Sequence, residues 1–201
     1  MRSLEELQFV GGHVALDFVN TAEERGHPEA GDVLRTPADL SRWGQRYGVL
    51  SGGGRSEADG PAQAELYKAL EARELLYNLF LARVRGARPS ESDLADLSRL
   101  AAAAYRAGRL TRTTGGRITW SWPRDELSTV RHVAVTAAVD LLAGEQAQRL
   151  KQCPGEQCGW LFLDMTKRGN RRWCSMSECG QDAKTARRRT RRLGGDAQSE
   201  T

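Results

Sequence analysis

Four cysteines constrain this chain more than any other feature. They stand as Cys153-x4-Cys158 and Cys174-x4-Cys179, with fifteen residues between the pairs. Zinc accepts four thiolates tetrahedrally at about 2.3 Å, and two short pairs suit it because each local turn brings two sulfurs to one side of the metal. The four-residue gap lies at the long end of ordinary local ligand spacings. Four thiolates fill zinc's coordination, so the metal expected here is a structural Zn2+. Free core thiols, a disulfide pair or a redox switch are the plainer readings of the same residues. The symmetric spacing favours the metal.

The residues between the cysteines suit a small finger. Trp160-Leu161-Phe162-Leu163 reads as a strand, Gly169-Asn170 as a turn, and Arg171-Arg172-Trp173-Cys174 as the returning strand. Ser175 to Glu178 opens a helix, with Ser175 or Ser177 as N-cap and Glu178 as the capping partner of Ser175. Knuckle, hairpin and helix in that order resemble a treble-clef zinc finger. A narrow nonpolar stripe runs along the closing helix through Met176, Cys179, Ala183, Ala186 and Leu193. About forty residues bury too little surface to fold unaided, so the metal would supply folding energy.

Charge is concentrated in the same stretch. Residues 151–193 carry eleven Lys and Arg against four acids, whereas residues 1–150 carry nineteen against twenty. Such asymmetry is expected where one part of a chain meets a polyanion. Lys167, Arg168, Arg171 and Arg172 of the hairpin join Lys184, Arg187, Arg188 and Arg191 of the helix as candidate phosphate contacts, with Trp160 and Trp173 nearby. A merely solvated helix face is the plainer reading. About five neutralised phosphates would make binding weaken with salt at a log–log slope near −4.5.

The first 150 residues read as a helical domain. Val14, Ala15, Phe18 and Val19 form a helical stripe after a Gly11-Gly12 turn, and Asp17 and Asn20 share a face. Residues 23–32 read as a loop. Thr36-Pro37-Ala38-Asp39 starts a helix that runs to Tyr47. Residues 51–60 are Gly-rich and read as mobile. The longest helix runs from Pro61 to Arg85 on a stripe of Leu66, Leu70, Tyr77, Phe80 and Val84. Arg73 falls in that stripe. Either it snorkels to the surface, or it is a buried guanidinium that needs an acidic partner, for which Asp17 is the candidate. Further helices are expected from Ser90 to Ala107 and from Pro123 to Leu142, the latter central and holding His132 as a core histidine. Between them Arg109 to Trp122 reads as a β-hairpin turning at Gly115-Gly116.

No Gly-rich phosphate loop, Ser nucleophile elbow or His pair at metal spacing occurs, which points away from an enzyme. No apolar run is long enough for a membrane span, and no leader is evident, so reduced thiols in a cytoplasmic protein are expected. The expected architecture is mainly α with a β-hairpin over 1–146, a small treble-clef-like zinc finger over 147–193, and a disordered tail over 194–201.

At this point a family resemblance becomes specific. CGWLFLD, RRWCSM and a Cys-Gly tetrad before a basic helix resemble the CGNR zinc finger, and GGHVALDFVNT with the helices after it is similar to the ABATE domain that precedes this finger. The resemblance implies a bacterial transcriptional regulator that binds duplex DNA, with Cys153, Cys158, Cys174 and Cys179 as zinc ligands. The tetrad here is Cys179-Gly180-Gln181-Asp182 rather than Cys-Gly-Asn-Arg, so an anion stands where the family has a cation. Asp17, Asn20 and Arg73 are candidates for a pocket through which the helical domain senses a small-molecule effector, and dimerisation is another role open to that domain. RNA binding, a small-molecule enzyme with a purely structural finger, and a protein-interaction finger are the rival functions.

Overall fold

The computed structural model describes residues 3–25, 31–51 and 60–196, with side chains up to residue 190. The expectations for the loop at 26–30, the Gly-rich stretch at 52–59, the tail at 197–201 and the side chains of Arg191 and Leu193 lie outside the described residues.

The helices form where the apolar spacing places them. α1 (Val14–Val19) is short and almost wholly buried. α2 (Pro37–Tyr47) begins with a full capping box, in which the Thr36 side chain accepts from the Asp39 amide and the Asp39 carboxylate accepts from the Thr36 amide. α3 (Gly60–Val84) and α4 (Glu91–Ala107, N-capped by Ser90) pack against α5 (Ser128–Ala143). α5 is apolar on several faces because it also meets α1 and α2. Trp43 is fully buried, stacked on Tyr47 at 5.2 Å and edge-on to Phe18 at 5.5 Å. His132 is buried in α5, and burial pushes its pKa down, as suits a core histidine.

β1 (Arg109–Arg112) and β2 (Ile118–Ser121) form the expected antiparallel hairpin. A second antiparallel pair, β3 (Leu150–Gln152) and β4 (Leu161–Leu163), follows a short 3-10 turn at Glu145–Arg149. The strand at Leu161–Leu163 is therefore real, but its partner is Leu150–Gln152. Residues 171–174, expected as the returning strand, are not a strand. The cysteine knuckle thus sits inside the hairpin, between β3 and β4. The chain then passes through a turn at residues 176–178 into α6 (Cys179–Asp196). That helix extends three residues into the expected tail. Ser175 and Ser177 pair their hydroxyls at 2.9 Å ahead of it.

The finger is not a separate body. Asn20 donates from its side-chain amide to the Leu161 carbonyl and accepts the Leu161 amide, both at 2.9 Å, so it acts as a neighbouring strand for β4. The Leu163 amide donates to the Gly11 carbonyl at 2.9 Å. Leu161, Phe162 and Leu163 are buried in one continuous core with Leu16, Phe18 and Leu76. An edge strand with free main-chain groups is a liability, and here the helical domain covers it.

Candidate metal centre and basic face

The four cysteines converge. Their sulfurs all lie within 4.8 Å of one another, with Cys158 to Cys174 at 3.5 Å and Cys174 to Cys179 at 3.6 Å. A tetrahedron with metal–sulfur bonds of about 2.3 Å has edges of about 3.8 Å, so the sulfurs already stand near zinc's geometry. Cys153 and Cys174 are buried and the other two half-buried. Main-chain amides of Gly155 and Cys174 donate to the Cys153 sulfur, and that of Trp160 donates to Cys158.

The donor chemistry calls for a cation. Hydrogen bonds from the neighbouring Cys158 and Cys174 thiols pull the Cys153 pKa down. With that thiolate formed, Cys158 and Cys174 are pushed up, chiefly through their contacts with Cys153, and burial pushes Cys179 up. Without a cation between them the cluster holds one negative charge readily and resists further ionisation. A divalent ion that prefers four thiolates removes the conflict, and zinc fits on donor type, number and spacing.

Local devices fix the knuckle. Gly159 has φ +67°, and a Cβ there would lie 2.7 Å from Arg25, so only glycine fits the turn before β4. The Arg25 amide donates to the Cys158 carbonyl at 3.1 Å, and the Tyr77 hydroxyl donates to the Gly159 carbonyl at 3.0 Å. A Cβ at Gly180 would meet the Met176 sulfur at 2.9 Å, a contact that the exposed, flexible methionine side chain can relieve.

Two residues that charge alone marks as basic surface turn inward. Arg171 donates to four carbonyls: Val10 at 2.7 Å, Cys174 at 2.6 Å, and Leu163 and Trp173 at 3.1 Å. Its guanidinium also lies 4.3 Å from the centre of the Phe162 ring. It ties the approach to Cys174 onto β4 and the N-terminal segment, so four of its five N–H donors are engaged within the protein. Lys151 likewise binds Asp164 at 2.6 Å and the carbonyls of Gly169 and Arg171. Asp164 is buried and also accepts from Thr166 and the Arg171 amide. Burial opposes its charge, but Lys151 and these donors outweigh it and hold the carboxyl well below the usual range. Nothing but its place in CGWLFLD marked Asp164 beforehand.

The other candidate contacts stay outside. Lys167, Arg168 and Arg172 are exposed on the segment after β4, and Arg172 lies 5.9 Å over the Trp173 ring. Lys184, Arg187 and Arg188 are exposed on one face of α6, because steps of three and four residues return to the same side. Arg189 is exposed as well and belongs with the basic residues of the helix. Ala183 and Ala186 point the other way, into a cleft of about 590 Å³ beside the cysteines. Asp182, the tetrad's anion, lines that cleft too and lies off the cationic face.

None of the three pocket candidates lines the cleft beside the cysteines, and each is engaged in its own contacts. Asp17 is buried and accepts from the Gly11 amide at 2.7 Å and from the Tyr47 hydroxyl at 3.4 Å. Asn20 holds β4. Arg73 is 4 % exposed, so it does not snorkel. Its acidic partner is Asp32, gripped by two bonds of 2.8 and 2.6 Å, with Thr21 and Glu74 alongside; Asp17 is elsewhere. The sequence pattern showed that Arg73 needed a carboxylate, but only the fold could select which one.

A family model described as "Putative stress-induced transcription regulator", ABATE, matches residues 12–145, more than half of the chain. The chain belongs to the ABATE family. The CGNR zinc finger model matches residues 149–192, which contain the four converging cysteines. No curated protein matches this ABATE chain. Among the described residues no helix is long and apolar enough to cross a membrane.

Proposed function

We propose that this ABATE-family chain is a cytoplasmic DNA-binding transcription regulator that works by binding rather than catalysis. The observation that carries this reading is the face of α6 formed by Lys184, Arg187 and Arg188. It begins at a zinc ligand, is exposed, and lies opposite the side that packs by the cysteines. Zn2+ would join Cys153, Cys158, Cys174 and Cys179 and so fix where the helix starts. Arg171, Lys151 and Asp164 hold the chain that leads into it. Lys167, Arg168 and Arg172 add positive charge on the same finger. Phosphate contacts of this kind set position and affinity, while sequence choice needs base contacts.

The zinc-loaded full chain is the right reagent, because the finger shares its core with the helices. Anisotropy with a labelled duplex should show binding that weakens with salt at a log–log slope near −4.5 for about five phosphates. Structured RNA serves as competitor. Absence of duplex binding at low salt, or displacement by RNA at far lower concentration than by DNA, would overturn the proposal.

A further inference from the structure

The β1–β2 hairpin has no part in the finger and little in the core. Leu110, Ile118 and Trp120 are 60, 68 and 40 % exposed on it. The register places them together: Leu110 faces Trp120, Arg112 faces Ile118, and all four side chains share one side of the ribbon. Its base is held by Trp122, which donates to the Ala104 carbonyl at 2.7 Å, and by Tyr105, whose ring lies 4.9 Å from that of Trp120. Towards its tip the ribbon stands free. Folding does not require apolar side chains there.

The charge around it is one-sided. From Leu97 to Arg124 there are six arginines and no acid. Arg106, Arg109, Arg112 and Arg117 are exposed, and their guanidinium groups make no ion pair or hydrogen bond among the described residues. Arg109 lies on one face of the ribbon, Arg112 on the other and Arg117 at the turn. A second copy of the chain is a poor occupant, since a symmetric contact would set these cations against their own kind. An acidic protein surface would engage one face and leave the other cations idle. A nucleic-acid groove has phosphates along both walls, and the major groove, about 12 Å wide, admits a two-stranded ribbon.

We propose that this hairpin is a second DNA-contacting element, a ribbon that enters a groove with Arg109, Arg112 and Arg117 on phosphates and Leu110 and Ile118 against base edges. The choice of duplex DNA rests on the reading of the finger given above; the cations and apolar side chains are the hairpin's own. The helical domain then supplies contacts to DNA at a distance in sequence from α6, and the protein grips with two elements.

The test is duplex anisotropy across a salt series with the zinc-loaded full chain, comparing the parent with R109Q/R112Q/R117Q on the hairpin and K184Q/R187Q/R188Q on α6. The hairpin substitutions are all at exposed positions, and circular dichroism confirms folding. Loss of three phosphate contacts should flatten the log–log slope by about 2.7 and weaken low-salt binding roughly tenfold or more. L110T/I118T should weaken binding while leaving the slope unchanged. If the hairpin triple variant matches the parent while the α6 variant loses affinity, the hairpin proposal falls and the finger reading stands. The reverse pattern overturns the finger reading and keeps the hairpin. No duplex binding by the parent overturns both.

Discussion

Lys151 and Arg171, on either side of β4, and the cations of α6 belong to one finger, and they are used in opposite ways. Lys151 and Arg171 turn in, towards the Asp164 carboxylate and a set of main-chain carbonyls around it. Lys184, Arg187 and Arg188 turn out. The inner cations replace a missing strand: residues 171–174 do not pair with β4, so the Arg171 side chain ties this stretch to it. The lesson is that a cation's role follows from which carbonyls lie within its reach, a property of the folded chain rather than of net charge.

The largest effect is expected at the cysteine cluster, on the reading that it holds Zn2+. Cys174→Ser, or chelation, should destabilise the helical domain together with the finger, because β4 is held by Asn20 and Gly11 and shares one core with α1 and α3. The loss should be comparable with the whole stability of a domain, on the order of 5 kcal/mol or more. Thermal unfolding followed by far-ultraviolet circular dichroism would show one shifted transition. A helical transition that stays where it was would mean the two parts fold separately.

The next effect belongs to the inner cation. Arg171→Ala takes the guanidinium from four carbonyls, of which only Leu163 keeps an amide donor (Met165), and uncovers Phe162, so about 3 kcal/mol should be lost in urea unfolding. Arg171→Lys should recover little of it, since a point ammonium cannot span carbonyls that a planar guanidinium reaches. Recovery by lysine would show that charge, not geometry, is what the site requires.

Asp17 offers a pH test of the same seam between domain and finger. Burial raises its pKa from 3.8 to about 6, against the hydrogen bonds from Gly11 and Tyr47 and the nearby Arg171 charge. The folded state therefore holds this proton more tightly than the unfolded chain. The stabilisation is complete below about pH 4 and is lost as pH rises through 6. Asp17→Asn keeps an acceptor for the Gly11 amide and should gain up to about 3 kcal/mol at pH 8 and little at pH 4. Equal effects at both pH values would count against a buried, ionising Asp17.

The smallest stability effect is the outer cation's. Arg188→Gln should change stability by less than about 0.5 kcal/mol, as exposed substitutions usually do. It should still weaken duplex binding and flatten the salt slope by about 0.9. A large stability loss would place Arg188 with Arg171 and erase the contrast.

Local chemistry made much of this legible in advance. Thr36-Pro37-Ala38-Asp39 carries its own capping signal, and the structure has the full box. The hairpin at 109–121 has β-branched flanks and a glycine turn, and it forms. The cysteine spacing led to four converging sulfurs. What misled was anything that depended on a distant partner. β4 was visible as Leu161–Leu163, but its neighbour lies upstream at Leu150–Gln152, across the knuckle. Arg73 needed a carboxylate, and Asp32 rather than Asp17 comes within reach. Asn20, a pocket candidate by sequence, pairs its side chain with the main chain of Leu161, 141 positions away.

The helices, the first hairpin, the convergence of the four cysteines and the basic bias of the last fifty residues could be read from the chain alone, because caps, turns and short cysteine spacings act over a few residues. Only the tertiary structure decided that finger and helices form one core, that Arg171 and Lys151 are struts, and that Asp182 lines a cleft beside the cysteines rather than the cationic face. Those outcomes depend on which main-chain groups were left without partners once the core had closed, and no local pattern records them.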